Sequence, residues 1–143
     1  MATAQASIQI QASPDQVWQL MGGFNSLPDW LPFIPQSELS ESGRVRTLAN
    51  LQGDAIVERL LAFDHAARSY SYTILQSPFP ITAYRSTLRV RPADDGQRAT
   101  VEWSGEFAPL GISDEEASQL FGGIYRDGLQ ALQAAFLDQA PPA

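Results

Sequence analysis

Between residues 37 and 107 the chain is a run of short strand-like segments, with no connection long enough to hold a crossover helix. Segments 37–40, 44–50, 55–63, 68–76, 84–91 and 98–107 are rich in β-branched, aromatic and alternating apolar residues. Their connections are Glu41-Ser42-Gly43, Leu51-Gln52-Gly53-Asp54, Asp64-His65-Ala66-Ala67, Ser77-Pro78-Phe79-Pro80 and Ala93-Asp94-Asp95-Gly96. A parallel pair needs a crossover of about a dozen residues, so these strands are expected to pair antiparallel as a meander. A further strand is expected at 7–11, where Ile8 and Ile10 alternate with glutamines.

Helices flank this region. Ser13-Pro14-Asp15 places a capping hydroxyl, a proline at the first helical position and an acid in the positive first turn. Val17, Trp18, Leu20 and Met21 then form an apolar stripe, interrupted by Gly22-Gly23, and residues 24–30 suggest a second short helix. Ser113 and Glu116 have capping-box spacing, and Leu120, Phe121, Ile124, Leu129, Leu132, Ala135 and Phe136 keep helical period to about Asp138. The closing Pro-Pro-Ala reads as a frayed tail. The chain is therefore expected to form one domain over 1–143, with its core at about 7–138.

A sheet of six or seven strands must bury its apolar face, and the only long partner is the final helix. The expected fold is α+β: a curved antiparallel sheet of about seven strands around a long C-terminal helix, with two short N-terminal helices. A bent sheet gripping one helix leaves space under its concave face, where binding sites commonly form. Tyr70, Tyr72, Tyr84, Trp103, Phe107, Phe121, Tyr125 and Phe136 fall on these strands or that helix. They either fill a core or line a mixed polar–apolar cavity, since each buried tyrosine hydroxyl needs a partner. Trp18, Phe24, Trp30, Leu31 and Phe33 form a proline-punctuated segment that either forms the cavity mouth or seals one end of the core.

Composition excludes several classes. There is no cysteine and one histidine, which rules out thiolate catalysis and cysteine metal sites and makes a preassembled metal centre improbable. His65, in a turn, is expected to be solvated. No cofactor is expected: neither Gly22-Gly23 nor Ser104-Gly105 has the spacing of a phosphate-binding loop. Gly122-Gly123 either allow the sheet or a small helix to approach closely or leave room for ligand beside Phe121, and close packing is the expectation. Nine basic residues, all arginine, against sixteen acids give a net charge of -7, which disfavours nucleic acid and anionic membranes. No apolar run approaches the ~20 residues of a membrane span. Met1-Ala2-Thr3-Ala4-Gln5-Ala6-Ser7 does not read as a signal peptide, so a cytoplasmic location is expected.

Val57-Glu58-Arg59-Leu60, Phe63-Asp64, Tyr70-Ser71-Tyr72-Thr73-Ile74, Tyr84-Arg85-Ser86 and Leu120-Phe121-Gly122-Gly123-Ile124-Tyr125 with Gly128-Leu129-Gln130-Ala131-Leu132 occur in that order. Together they resemble the polyketide cyclase/dehydrase and lipid-transport branch of the START/Bet v1-like (SRPBCC) superfamily, with a distant similarity to plant abscisic-acid receptors. The resemblance covers about 7–135 and implies a helix-grip fold with an internal hydrophobic cavity. It places Glu58 at a pocket glutamate that reaches ligand through water. Tyr84 and Ser86 match pocket positions on the sixth strand, and Phe121, Tyr125 and Leu129 match cavity-facing positions of the last helix. Residues 50–54 and 77–81 take the places of the receptors' two mouth loops without their sequences, which puts a hormone-receptor mechanism in doubt.

Two registers are open for Glu58. If it shares a face with Ile56 and Leu60, burial raises its pKa and qualifies it as a general acid or base. Arg59 then faces outward, near an acid such as Glu102. In the other register Arg59 is inside and Glu58 in water. Tyr72 and Tyr84 are candidates to donate to a ligand oxygen or, with Glu58, to polarise a carbonyl. The candidate catalytic set is thus Glu58, Tyr72 and Tyr84. The candidate ligand-binding set adds Ser86, Trp103, Phe121, Tyr125, Leu129, Phe24 and Trp30. The expected partner is a small hydrophobic molecule, lipid or polyketide-like, held by a carrier or sensor that is a monomer or homodimer. The alternatives are a cyclase, dehydratase or isomerase using acid–base chemistry, and a structural or partner-binding protein with a vestigial cavity.

Overall fold

The computed structural model describes residues 1–94 and 96–138. Strand β1 (Ala2–Ile10) leads into α1 (Pro14–Met21) and α2 (Leu27–Trp30). Then follow β2 (Gln36–Ser40), β3 (Val45–Ala49), β4 (Ala55–Asp64), β5 (Ser69–Gln76), β6 (Ile81–Pro92), β7 (Ala99–Pro109) and α3 (Asp114–Asp138). The seven strands form one antiparallel sheet in the order β1-β7-β6-β5-β4-β3-β2. The meander from β2 to β7 is as expected. The two short helices carry the chain from one sheet edge to the other.

Helix starts follow local chemistry. At α1, Ser13 Oγ accepts from Gln16 N at 3.2 Å while Gln16 Oε1 accepts from Ser13 N at 3.1 Å. At α3, Ser113 and Glu116 make the same reciprocal pair. Each box satisfies amides that have no partner inside the helix. The end of the chain, including the expected tail, and Asp95 of the β6–β7 turn lie outside the described residues.

Strand ends differ from expectation in two places. β1 begins at Ala2 rather than Ser7, pairing Ala2 with Phe107 and Ala4 with Gly105. Its alternating alanines carry too little apolar surface to mark a strand in the sequence. β6 begins at Ile81 rather than Tyr84, with a register shift between Thr82 and Arg85 and a left-handed Ala83 (φ 52°). β4 has shifts between Val57 and Glu58 and between Leu60 and Ala62. Such bulges bend the strand and increase its twist, and these curve the sheet over α3.

The inward faces of β5, β6 and β7 supply Tyr70, Tyr72, Leu88, Val90, Val101, Trp103 and Phe107, and α3 supplies Ala117, Phe121, Leu129 and Leu132. Burying each large aliphatic side chain contributes about 1.5–3 kcal/mol. Close approach of helix and sheet is set by Gly105 and Gly128. A β-carbon at Gly105 would collide with the Tyr125 hydroxyl, and one at Gly128 would come within 2.6 Å of the Trp103 ring. The expected close-packing pair, Gly122-Gly123, does not play that part. A β-carbon at Gly122 would have open space around it, and one at Gly123 would meet only the Arg126 side chain at 3.8 Å.

Candidate functional site

The sheet and α3 do not close completely on each other. Between them lies a cavity of about 240 Å³. Leu48, Ile56, Ile74, Phe121 and Ile124 give it an apolar wall, into which Arg46, Glu58, Tyr72, Tyr84, Trp103 and Tyr125 bring polar atoms. Leu27, Leu31, Phe33 and Ile34 close it from the α2 side. Asn50, Leu51 and Gln52 reach it from the β3–β4 loop and Phe79 from the β5–β6 loop, so both expected mouth segments border the cavity.

Its chemistry begins with a residue that sequence reasoning missed. Arg46 on β3 lies directly across the ladder from Glu58 on β4. Nε and Nη2 of Arg46 both stand 2.8 Å from Glu58 Oε1. The arginine is 1% exposed and the glutamate 6%. Two charges are costly to remove from water unless their remaining valences are met. Here Arg46 Nη1 donates to the Phe24 carbonyl at 3.0 Å and to the Tyr70 hydroxyl at 3.4 Å. The guanidinium also lies 4.2 Å from the Phe24 ring centroid and 4.8 Å from that of Tyr72, a cation–π arrangement. Burial pushes the Glu58 carboxyl above its usual range, while the charge and hydrogen bonds of Arg46 pull it back.

Both registers left open for Glu58 are now decided. Ile56 and Glu58 face inward, and the bulge after Leu60 turns Leu61 out to 44% exposure. Arg59 is exposed, but Glu102 is not its neighbour, because β4 and β7 are separated by two strands. Glu102 instead pairs with Arg91 at 3.3 Å.

A second polar cluster crosses from sheet to helix. Trp103 Nε1 donates to the Tyr72 hydroxyl at 3.2 Å and to Ser86 Oγ at 3.0 Å. Ser86 donates its own proton to the Ser104 carbonyl at 2.7 Å. The Tyr84 hydroxyl contacts that of Tyr72 at 3.5 Å and makes a short hydrogen bond to that of Tyr125 on α3. Burial raises the pKa of all these tyrosines above the ordinary value, that of Tyr125 to about 12.

Of the sequence candidates, Glu58, Tyr72, Tyr84, Trp103, Phe121 and Tyr125 meet around the cavity. Four stand off its wall. Ser86 is buried under the Trp103 indole, Phe24 covers Arg46, Trp30 packs edge-on against Trp103 with ring centroids 6.1 Å apart, and Leu129 is in the closed core. Glu58 engages Arg46 rather than either candidate catalytic tyrosine. The N-terminal aromatic segment divides between both expected roles: Leu31 and Phe33 border the cavity, while Trp18, Phe24 and Trp30 seal the core. His65 is exposed, yet its Nδ1 accepts from Trp18 Nε1 at 2.9 Å. That hydrogen bond was invisible in the sequence.

A bent seven-stranded sheet around one long helix, with a polar-studded cavity between them, defines a START/Bet v1-like helix-grip protein. The chain belongs to the polyketide cyclase/dehydrase and lipid transport family, whose pattern it matches over residues 1–136. It is 57% identical to XoxI from Bacillus cereus, with a TM-score of 0.95 over 97% of this chain and 98% of that one. A Bacillus thuringiensis protein is 55% identical, with a TM-score of 0.94 over 96% and 100% of the two chains. The Zhui aromatase/cyclase from Streptomyces sp. R1128 shares the fold at 18% identity, with a TM-score of 0.73 over 96% and 92%.

Proposed function

We propose that the protein is a carrier or sensor that holds one small, largely apolar molecule in the cavity between sheet and α3. The observation that carries this reading is a buried ion pair on the wall of a largely apolar cavity. A protein that needed only stability would gain as much from apolar side chains there. The volume favours a compact ligand. At about 240 Å³ the space is below the ~300–1,000 Å³ of pockets for drug-sized molecules. Filled at interior packing density, it holds roughly ten non-hydrogen atoms. The mouth side chains Leu51, at 67% exposure, and Gln52 give a longer ligand a route outward.

Binding is favoured over turnover by the state of Glu58. A general base is helped by a raised affinity for protons, whereas this carboxylate is paired with a permanently charged guanidinium and hydrogen-bonds neither candidate catalytic tyrosine. Native mass spectrometry of protein purified from its own host tests the reading. A retained small molecule that leaves on denaturation is the expected result. A bare mass, with no saturable uptake of any compact apolar probe, would sink it.

A further inference from the structure

The polar atoms around the cavity are not a balanced mixture of donors and acceptors. A guanidinium has five N–H groups. Three of those on Arg46 make hydrogen bonds inside the protein, from Nε to Glu58 Oε1 and from Nη1 to the Phe24 carbonyl and the Tyr70 hydroxyl, and Nη2 stands 2.8 Å from the same Oε1 as an ion-pair contact. Rings of Phe24 and Tyr72 cover the cation. Both contacts with the glutamate converge on Oε1, and Oε2 has no hydrogen-bond partner among the described residues. The ion pair therefore presents its acceptor edge to the cavity.

Two members of the tyrosine cluster are also held as acceptors. Trp103 Nε1 can only donate, so Tyr72 and Ser86 meet it with lone pairs. The Ser104 carbonyl can only accept, so it takes the Ser86 proton. The Tyr84 hydroxyl meets those of Tyr72 and Tyr125, and in each pair either oxygen can donate.

Resting on the carrier reading above, we infer that the cavity selects a neutral hydrogen-bond donor: a compact alcohol or phenol whose hydroxyl donates to Glu58 Oε2. A carboxylate would face Glu58 and a row of lone pairs. A ketone or ether would bring no proton to Oε2, and a buried unpaired acceptor is costly. An ammonium would satisfy the acceptors but add a second positive charge beside Arg46.

The test is calorimetric titration of the wild-type chain at neutral pH with naphthalene, 2-naphthol, 2-methoxynaphthalene and 2-naphthoate. 2-Naphthol is expected to bind at least about tenfold tighter than naphthalene, with the ether and the carboxylate no tighter than naphthalene. In Glu58→Gln the amide oxygen stays on Arg46 and the NH2 turns to the cavity, so the naphthol preference is expected to vanish while naphthalene still binds. Should that variant not fold, the wild-type series decides alone. Naphthalene binding without a naphthol preference, or tighter binding of the ether or carboxylate, overturns this inference and leaves the carrier reading intact. Binding of none of the four removes both.

Discussion

Arg46 and Glu58 face each other across neighbouring strands, joined by two 2.8 Å contacts to a single carboxylate oxygen and shut away from solvent. A pair of this kind is costly to break and cheap to replace. Arg46→Met or Glu58→Met alone strands a buried charge and is expected to cost about 3–5 kcal/mol. The double Met variant is expected to lie near wild type or above it. Urea unfolding of the four proteins closes the cycle. Additive losses in the double variant would show that the two side chains are not coupled.

All four tyrosines of the chain are buried, and burial raises the pKa of each. For an acid whose folded pKa lies above its unfolded one, the neutral form is favoured by folding. Its contribution is whole below the unfolded value near 10 and falls as pH rises toward the folded value. For Tyr125, shifted to about 12, the loss is on the order of 3 kcal/mol. An alkaline titration followed by tyrosinate absorbance is expected to stay flat past the ordinary tyrosine range and then rise together with unfolding. A quarter of the signal appearing near pH 10 in folded protein would contradict this.

The two neighbouring tryptophans should respond differently to loss of the indole nitrogen. Trp103 Nε1 has two acceptors, whereas Trp30 Nε1 is buried and finds no acceptor among the described residues. Trp103→Phe strands the lone pairs of Tyr72 and Ser86, while Trp30→Phe removes an unpaired donor. The first is expected to be less stable than the second by about 1–3 kcal/mol. Thermal unfolding compares them, and equal losses would mean that the Trp103 bonds contribute nothing net.

Gly105 should be intolerant of a side chain for one stated reason, the Tyr125 hydroxyl where a β-carbon would sit. Gly105→Ala is expected to cost about 1–3 kcal/mol by overpacking. Adding Tyr125→Phe should restore part of that loss. Denaturant unfolding of the single and double variants reads it out, and no rescue would place the strain elsewhere.

How much of this was legible varies by residue. Short connections after Ser40, Asn50 and Phe63 reveal the meander, because chain length alone forbids a crossover. The helix starts at Ser13 and Ser113 are visible because capping is local chemistry. Arg46 escapes notice because a lone arginine in a strand reads as a solvated one. Alternation with Leu48 places it on the inner face, but only the ladder register shows that Glu58 stands opposite. The facing of Leu60 and Leu61 was ambiguous because a bulge between Leu60 and Ala62 breaks the period-two pattern on which such readings depend. Leu129 has helical spacing and is buried, yet which side of α3 meets empty space depends on sheet curvature, which period alone does not encode.

The most direct measurement is a methyl-resolved NMR titration of the whole chain with 2-naphthol. Saturable shifts are predicted at Leu48, Ile56, Ile74 and Ile124, which border the space under the sheet, with Val17 and Val90 of the filled core unmoved. Shifts confined to Leu39, Leu61 and Leu75 on the exposed surface, or none that saturate, would mean that nothing enters between sheet and helix.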